Sequence, residues 1–581
     1  MAKPVYAFEE ADSKKRMLLG GKGAGLSEMT RLKLPVPPGF IITTEVCNKY
    51  YDNNKKLPKD LMSAVMKNIT KMEKKTGKKW NSTKNPLLVS VRSGAAISMP
   101  GMMDTILNLG LNEKTVEGFA EQTKNPRFSW DSYRRFIQLF GKVVFGVNDE
   151  KFDHVLDSAK TKQGVSDDSK LNVESLKTIV SEYKKICEAH TKRKFPDSPK
   201  EQLELSIEAV FRSWMGERAI VYREKNNITK DIANGTAVNV VTMVFGNMGD
   251  DSATGVVFTR NGHNGKKEIE GEYLINAQGE DVVAGVRTGK NIELLKKDMP
   301  KSHKELSNAC TKLEKHFREP QDIEFTIEQG KFYLLQTRTA KMSAAALVKT
   351  SVDMVKEKLI DKNRALTRIP AQQLEALLHR TMDESKIKDH KQIAKGIAAS
   401  PGAASGIVVF DVKKTIELGE AGKKIILVRK ETKPEDVPAF FSAEGILTSL
   451  GGKSSHAAIV SRGMGKPCIV GCPELKIDYD NNTCTTNGIT IKEGETISIN
   501  GSEGTVFIGE VPTVEPKVTK DFEQILEWAQ KTKTLGIRAN ADTPEGAKLA
   551  RQFGGRGIGL CRTERMFNGS DRINLFVEMI M

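Results

Sequence analysis

The 581-residue sequence predicts a multidomain protein of mixed α/β and α+β class. At about 150 residues per domain, this length corresponds to roughly four domains. Short apolar runs occur near residues 87–91, 237–245, 253–259 and 444–450, and they are typical of buried strands. Between the first two runs, residues from about 112 to 235 have a mainly helical pattern with a polar break near residues 164–169. Sheets and helices are therefore expected in more than one domain.

The composition is that of a soluble globular protein, with 39% hydrophobic and 28% charged residues. No apolar run approaches the roughly 18 residues that a membrane span needs. The first residues contain no apolar signal-peptide core. Seven scattered cysteines suggest reduced thiols. Cys468 and Cys472 have no second pair, so a zinc site is not expected. We expect a cytoplasmic protein that does not bind a membrane.

The formal net charge of +16 raises the question of nucleic-acid binding. The lysines, however, form short clusters among acidic residues, without a run of five like charges. Aromatic residues make up only 6% of the chain, so no basic and aromatic binding surface is evident. We therefore expect small polyanionic substrates rather than nucleic acid.

The strongest chemical signal surrounds His456. A strand-like run ends at the turn Gly451-Gly452, and Ser454 and Ser455 offer hydroxyls that could cap a following helix. His456 then lies in the first helical turn, where free N–H groups and the helix dipole favour an anion. A neutral imidazole there can accept a phosphoryl group as a nucleophile. The alternative is a histidine that merely packs at a helix start.

Residues 451–472, GGKSSHAAIVSRGMGKPCIVGC, resemble the phosphohistidine motif of the pyruvate, phosphate dikinase family. Enzymes that make phosphoenolpyruvate and enzyme I of the bacterial sugar phosphotransferase system carry similar motifs. Family members usually have threonine two residues before the histidine, where this chain has Ser454. Serine keeps the hydroxyl. Because that threonine is a regulatory phosphorylation site in plant-type members, the resemblance makes Ser454 a candidate for the same modification.

Two stretches near the N-terminus could contact phosphates. Residues 18–29 form a glycine-rich segment in which Lys22 would supply a positive charge. It is not a Walker A loop, because Gly23 rather than Ser or Thr follows the lysine. A buried strand over residues 87–91 would end at Arg92, and a guanidinium there suits bidentate phosphate contact. A plain turn and a surface ion pair are the respective alternatives.

Residues 321–338 read as a β-hairpin. Alternation puts Asp322 and Glu324 on one face, where two carboxylates can hold Mg²⁺ bound to nucleotide phosphates. Exposed acids on an ordinary hairpin are the alternative. A three-residue loop over residues 328–330 would pair Asp322 with Gln336 and bring Arg338 to the same face. A two-residue loop would place Gln336 and Arg338 on the reverse face.

The resemblance to the dikinase family implies an ATP-grasp fold for residues 1–340, with a helical insert at about 112–235. It also implies Mg²⁺ as cofactor, held with ATP by Asp322 and Glu324, and a monovalent cation (NH₄⁺ or K⁺). The implied ATP-binding residues are Lys22, Arg92, Gly101, Met103, Thr254, Gly255, Asp322, Glu324, Gln336 and Arg338. The segment around Met103 could form a flexible lid, although methionines filling a core would look the same.

Residues 341–390 have the pattern of a helical linker. For the rest of the chain, the resemblance implies a swivelling phosphohistidine domain (391–510), a second linker (511–533) and the start of a TIM-type (β/α)₈ barrel (534–581). Arg562 matches an arginine that contacts phosphoenolpyruvate in relatives. A whole barrel needs about 250 residues. The sequence is therefore expected to be truncated within the barrel, and a homodimer is expected if the barrel is complete.

The predicted function is that of a pyruvate, phosphate dikinase, in which ATP, phosphate and pyruvate give AMP, pyrophosphate and phosphoenolpyruvate through phosphorylated His456. One alternative is a phosphoenolpyruvate synthase, which uses water in place of phosphate. Another is a fragment that performs only the ATP and phosphate half-reaction, or only binds ATP. A fragment without the rest of the barrel is expected to form no phosphoenolpyruvate.

Overall fold

A computed structural model describes residues 3–99, 103–283, 289–377, 381–387, 389–514, 519–542, 544–552, 554–563 and 572–581. The chain divides into two compact units. The larger contains residues 1–261, 267–341 and 382–512, and the smaller contains residues 262–266, 342–381 and 513–581. None of the helices in these described ranges combines the length and the apolar character needed to cross a bilayer.

The larger unit begins with an antiparallel sheet and the helices around it. The strands are β1 Val5–Ala7, β2 Gly39–Ile42, β3 Val89–Ala95, β4 Thr105–Leu109 and β5 Thr236–Thr242, and they are arranged in the order β1-β2-β5-β3-β4. The helices are α1 Arg16–Arg31, α2 Thr44–Asp52, α3 Leu61–Thr76, α4 Glu113–Thr123, α5 Pro126–Val143, α6 Asp149–Gln163, α7 Val173–Thr191, α8 Pro199–Ser213 and α9 Glu217–Lys225. Helices α4 to α9 thus occupy the segment that was predicted to be helical.

A second antiparallel sheet follows. Its strands are β6 Ala253–Phe258, β7 Glu270–Ile275, β8 Lys290–Asn291, β9 Gln321–Glu328 and β10 Lys331–Thr339, in the order β10-β9-β6-β7-β8. The helices are α10 Gly279–Val283, α11 Leu295–Asp298 and α12 Pro300–Phe317. Leu313 of α12 and Phe325 of β9 share a buried core on one face of this sheet, which leaves the other face for the carboxylates of Asp322 and Glu324.

The smaller unit contributes the helices α13 Ala344–Lys356, α14 Lys362–Thr367 and α15 Ala371–Ala376. The chain then passes through β11 Thr381–Met382 and α16 Glu384–Ile387 into a third sheet of the larger unit. The strands of that sheet are β12 Gln392–Lys395, β13 Ile397–Ser400, β14 Ala403–Val409, β15 Ile425–Arg429, β16 Gly445–Thr448, β17 Cys468–Val470, β21 Thr496–Asn500 and β22 Thr505–Ile508. A separate three-stranded sheet contains β18 Lys476–Asp478, β19 Thr483–Thr486 and β20 Ile489–Lys492.

The third sheet has eight strands, in the order β12-β22-β21-β14-β15-β16-β17-β13. Strands β14 to β17 are parallel to one another, and the flanking strands are antiparallel. The helices of this region are α17 Val412–Glu420, α18 Val437–Ser442 and α19 His456–Met464. Because β15 and β16 are adjacent and parallel, the loops that follow them emerge at the same edge of the sheet.

The smaller unit is completed by β23 Thr513–Val514, α20 Lys520–Thr532, β24 Arg538–Ala539, α21 Pro544–Gln552, β25 Gly557–Ile558 and α22 Ile573–Ile580. Strands β24 and β25 pair in parallel. Phe522 and Trp528 of α20 pack against Val352 of α13 in a small core within this unit. The (β/α)₈ barrel remains a prediction.

The glycine-rich segment around Lys22 is helical, and the prediction of a loop there was wrong. Helix α1 is interrupted by a kink at Gly20, which has φ 70° and ψ 163°. A Cβ atom at Gly20 would lie 1.8 Å from the carbonyl oxygen of Gly94 in β3, so only glycine allows this approach. The kink brings the turn that carries Lys22 against β3. Arg92 lies inside β3 and not after its end, so that boundary was also predicted wrongly.

The hairpin of β9 and β10 has a different register from the predicted one. Its loop contains two residues, Gln329 and Gly330, both with positive φ, and Glu328 pairs with Lys331. A bulge between Leu334 and Gln336 then shifts the pairing by one residue. As a result, Asp322 lies opposite Arg338 and Glu324 lies opposite Gln336. The predicted pairing was wrong, but the prediction that all four side chains share one face is confirmed.

Candidate active site

Two ion pairs bring together the charged residues that were singled out on β3, β9 and β10. Arg92 Nη2 lies 3.1 Å from Glu324 Oε2, and Arg338 Nε lies 2.6 Å from Asp322 Oδ2. Asp322 is buried, and the other three side chains are only partly exposed. Lys22 faces the same cluster from α1, since its pKa responds to Glu324, Arg92 and Arg338. The cluster therefore contains three cations and two carboxylates.

The two carboxylates differ in their electrostatic surroundings. Burial raises the pKa of Asp322 above its usual range, although Arg338 opposes that effect. For Glu324, burial is also the largest influence, but Arg92, Arg338 and Lys22 together outweigh it and lower the pKa. Glu324 is thus held as an anion by cations, whereas Asp322 is a buried carboxylate that would gain from a further positive charge.

Several polar atoms of this cluster are buried without a hydrogen-bond partner in the part of the chain that the structure describes. They are Asp322 Oδ1, Gln336 Oε1 and Arg92 Nε. Buried polar groups usually find a partner, so these atoms indicate room for a ligand. The two oxygens among them, Asp322 Oδ1 and Gln336 Oε1, are of the kind that binds Mg²⁺. Within the described ranges no group of three or more His, Cys, Asp or Glu side chains could hold a metal, so a cation here also needs oxygens from a ligand or from water.

The remaining residues predicted for this site differ in their placement. Thr254 of β6 pairs with Thr326, on the same face as the carboxylates, and its hydroxyl donates to the carbonyl of Phe325 over 3.1 Å. Gly255 lies on the opposite face, where a Cβ atom would meet the ring of Phe325 at 2.6 Å. Met103 is half-buried just before β4. Gly101 lies outside the described residues.

His456 is the first residue of helix α19, as predicted. Ser455 occupies the N-cap position, but its side chain makes no capping hydrogen bond, so that part of the prediction was wrong. His456 Nδ1 lies 3.2 Å from the hydroxyl of Thr432, and the ring packs edge-on against Phe440. Nε2 is buried and has no partner among the described residues. Nδ1 is therefore in contact with a hydroxyl, whereas Nε2 has no partner in the part of the chain that the structure describes.

The imidazole is neutral at physiological pH. Burial is the main reason that the pKa of His456 is lowered to about 4; Glu435 opposes the shift, and Lys341 contributes to it. A neutral imidazole retains a lone pair that can attack an electrophile. Lys341 follows β10, the strand that carries Arg338, so the histidine lies near the end of the strand that contributes to the charged cluster.

The loop before His456 contacts two glutamates on β7. Lys453 forms an ion pair with Glu270, and the Ser454 hydroxyl donates to Glu272 Oε1 over 2.6 Å. The Arg462 guanidinium, further along α19, lies over the ring of Phe258 at 5.3 Å. The segment around His456 therefore contacts the sheet that carries Asp322 and Glu324.

Arg562 belongs to the smaller unit, where its backbone N–H donates to Asp542 over 2.7 Å and its guanidinium lies 3.6 Å from the same carboxylate. The sequence interpretation missed the contacts made by Thr432, Glu270 and Glu272. No local pattern marks these residues, because their roles arise only when separate segments of the chain fold together.

Family models match three successive parts of the chain. "Pyruvate phosphate dikinase, AMP/ATP-binding domain" matches residues 16–56, 53–304 and 299–359. "PEP-utilising enzyme, mobile domain" matches residues 421–504, and "PEP-utilising enzyme, PEP-binding domain" matches residues 516–580. The chain is thus a mixed α/β multidomain protein of the class that combines a nucleotide-binding domain with the domains of phosphoenolpyruvate-utilising enzymes.

Three relatives are similar over nearly the whole chain. Pyruvate, phosphate dikinase of Entamoeba histolytica is 52% identical over 580 residues, which is 99% of this chain and 65% of the relative. The enzymes of Clostridium symbiosum and Giardia intestinalis are 50% and 48% identical over 100% and 99% of the chain, and 66% of each is covered. The chain belongs to the pyruvate, phosphate dikinase family, and it spans about two thirds of the length of these relatives.

Proposed function

We propose that the chain acts in the dikinase reaction, in which ATP, phosphate and pyruvate give AMP, pyrophosphate and phosphoenolpyruvate. His456 would attack the β-phosphoryl group of ATP, and inorganic phosphate would then remove the γ-group as pyrophosphate. The single observation that carries the proposal is the environment of His456. Its ring is neutral, its buried Nε2 has no hydrogen-bond partner among the residues that the structure describes, and the loop before it contacts the sheet that carries Asp322 and Glu324.

The charged cluster is proposed as the nucleotide site. Lys22, Arg92 and Arg338 would stabilise negative charge on the phosphates as the reaction proceeds. Asp322 and Glu324 would hold Mg²⁺ together with ATP. This role is supported by Asp322 Oδ1, which has no hydrogen-bond partner within the described ranges. Bound Mg²⁺ would neutralise charge on the phosphates. Gln336, Thr254, Gly101 and Met103 are proposed as further contacts to the nucleotide. Gly255 faces the other side of the sheet, so it is proposed to contribute only through its backbone.

Further proposals rest on membership of the family. They comprise an ATP-grasp fold for residues 1–340, a swivelling domain over 391–510 joined by linkers at 341–390 and 511–533, and a (β/α)₈ barrel that begins within 534–581. A monovalent cation, a homodimer and contact of Arg562 with phosphoenolpyruvate belong to the same group. Cytoplasmic location is supported by seven cysteines that all remain free thiols.

Ser454 is proposed as a regulatory phosphorylation site. Its hydroxyl donates to the Glu272 carboxylate in the present arrangement. A phosphoryl group adds about 1.5 to 2 negative charges at neutral pH. It would be repelled by Glu272 and Glu270, so phosphorylation of Ser454 would weaken the contact between the loop before His456 and the second sheet.

The proposal is tested by incubating the chain with ATP labelled in the β-phosphoryl group, together with Mg²⁺. We expect acid-labile, base-stable label on the chain, as a phosphoramidate requires. Addition of phosphate should release pyrophosphate in proportion to AMP, whereas a phosphoenolpyruvate synthase would release free phosphate without needing added phosphate. Label that survives acid, as on a serine, would contradict the proposal.

A pH experiment tests the role of Lys22. Burial is the main reason that the pKa of Lys22 is lowered to about 7; Arg92 and Arg338 contribute to the shift, and Glu324 opposes it. Polyphosphate favours the charged ammonium, so ATP binding should take up a proton above that pH. We expect ATP affinity to weaken by up to about tenfold per pH unit between roughly pH 7 and pH 9.

The matched control for that experiment is Lys22→Arg, because a guanidinium stays charged over this range. Calorimetric titration of both proteins across the range should show a pH-dependent affinity only in the unsubstituted chain. Equal pH dependence in the two proteins would assign the titration to another group.

A further inference from the structure

The environment of His456 contains a residue that neither the motif nor the charged cluster accounts for. Thr432 follows β15, whereas His456 follows β16, and the adjacent parallel strands deliver both loops to one edge of the sheet. The backbone of Lys430 ties the loops together, because its carbonyl accepts from the N–H of Leu450 over 2.8 Å. The position of Thr432 relative to the histidine is therefore set by the fold.

The Thr432 hydroxyl has one hydrogen-bond contact in the described part of the chain, with His456 Nδ1 at 3.2 Å. Two tautomers are compatible with that distance. In one, Nδ1–H donates to Thr432 and Nε2 carries the lone pair; in the other, Thr432 donates to Nδ1 and Nε2 carries the proton. The second tautomer would bury an N–H donor without an acceptor, since Nε2 has no partner there. Orphaned buried donors are rare and unfavourable, so the first tautomer is preferred.

We propose that Thr432 is a positioning residue that accepts a hydrogen bond from Nδ1–H of His456 and thereby makes Nε2 the nucleophilic nitrogen. This inference rests on the proposed function, because it concerns the nitrogen that receives the phosphoryl group. Phe440 assists by packing edge-on against the ring, with centroids 6.2 Å apart, which restricts ring rotation.

The phosphoryl-transfer step then balances without an external base. The Nε2 lone pair forms a bond to the β-phosphorus, while the bond from that phosphorus to the bridging oxygen breaks and its electrons remain on AMP. The proton on Nδ1 stays in place, and the ring becomes a cation. Thr432 stabilises this cation because its hydroxyl oxygen already accepts from Nδ1–H, and a hydrogen bond from an ionised donor is stronger than a neutral one.

The test compares Thr432→Val, which keeps the shape but removes the hydroxyl, with Thr432→Ser, which restores it. Partners that orient histidines in metal sites contribute about 10- to 100-fold, and we expect a similar decrease in labelling rate for Thr432→Val. Thr432→Ser should recover the rate to within about threefold. Thr490→Val, on an exposed position of β20, is the matched control and should leave the rate unchanged.

A spectroscopic measurement distinguishes positioning from general destabilisation. Nitrogen-15 labelling of the histidines, with a His456→Asn sample to assign the signal, reports which ring nitrogen carries the proton. We expect Nδ1–H in the unsubstituted chain and in Thr432→Ser, and a shift towards Nε2–H in Thr432→Val. An Nε2–H ring in the unsubstituted chain, or unchanged rate and tautomer in Thr432→Val, would overturn the proposal.

The two readouts also separate this proposal from the proposed function. Failure of the unsubstituted chain to take up label would contradict the phosphotransfer function. The tautomer measurement needs no nucleotide, and it would still decide whether Thr432 sets the protonated nitrogen of His456.

Discussion

Replacing His456 with asparagine is expected to abolish transfer of the β-phosphoryl group of ATP to the chain, with a decrease of more than about a thousandfold. Asparagine keeps a polar side chain of similar reach but has no nucleophilic lone pair on a ring nitrogen. The loss should not reflect unfolding, because the histidine contributes one neutral hydrogen bond, worth about 1 kcal/mol. Acid-labile label per mole of chain is the measurement.

The control is His390→Asn. His390 lies in the same compact unit, and its Nδ1 contacts the carbonyl of Lys386. This variant should retain full labelling. If His456→Asn retained the label at a normal rate while its thermal melting was unchanged, the phosphoryl acceptor would have to be another residue.

Replacing Asp322 with asparagine is expected to reduce the labelling rate by about 10²- to 10³-fold, the range found when one electrostatic contact to a transition state is removed. The substitution keeps the shape but removes a charge that would hold Mg²⁺ with ATP. Thermal stability should change little, because burial already disfavours the charged Asp322 carboxylate and because Arg338, which is 25% exposed, still interacts with Glu324 after the substitution. Labelling time courses and melting curves measure the two effects separately.

Glu314→Ala is the matched control, because it should lower the thermal stability without lowering the labelling rate. Glu314 accepts from Arg260 Nη2 over 2.7 Å and from the Thr259 hydroxyl over 2.9 Å, and Arg260 is fully buried. Removing one partner of a buried ion pair typically costs about 3 to 5 kcal/mol. We expect a clear fall in melting temperature but a normal labelling rate per folded molecule. Loss of labelling in folded Glu314→Ala would show that the Asp322 effect is not specific to its face of the sheet.

The hairpin illustrates how much of the site could be predicted from sequence. Alternation correctly placed Asp322 and Glu324 on one face, because strand periodicity depends only on local geometry. The pairing could not be predicted, since it depends on two compensating features. Gln329 and Gly330 adopt positive φ in a two-residue loop, and the bulge before Gln336 then restores the shared face. Neither Leu334 nor Leu335 carries a sequence signal for a bulge.

The helix that begins at His456 was predicted correctly because the glycine turn and the apolar residues that follow are local signals. Its surroundings were not predictable in the same way. Thr432 is 24 residues away along the chain, and Glu272 is 182 residues from Ser454. The first contact depends on the pairing of β15 with β16, and the second depends on the contact between the loop before His456 and β7. Contacts between residues that are far apart along the chain produce no periodic pattern in a single sequence.

The kink at Gly20 has a consequence for ligand affinity. The contact between Gly20 and Gly94 joins main chain to main chain, so the separation between the turn carrying Lys22 and the strand carrying Arg92 does not depend on flexible side chains. Two like charges are thereby held near each other before any anion arrives, and their mutual repulsion is overcome during folding. Binding then needs little reorganisation, and preorganised charges of this kind give more of their interaction energy to the ligand. Any larger residue at position 20 should weaken anion binding even if both cations remain.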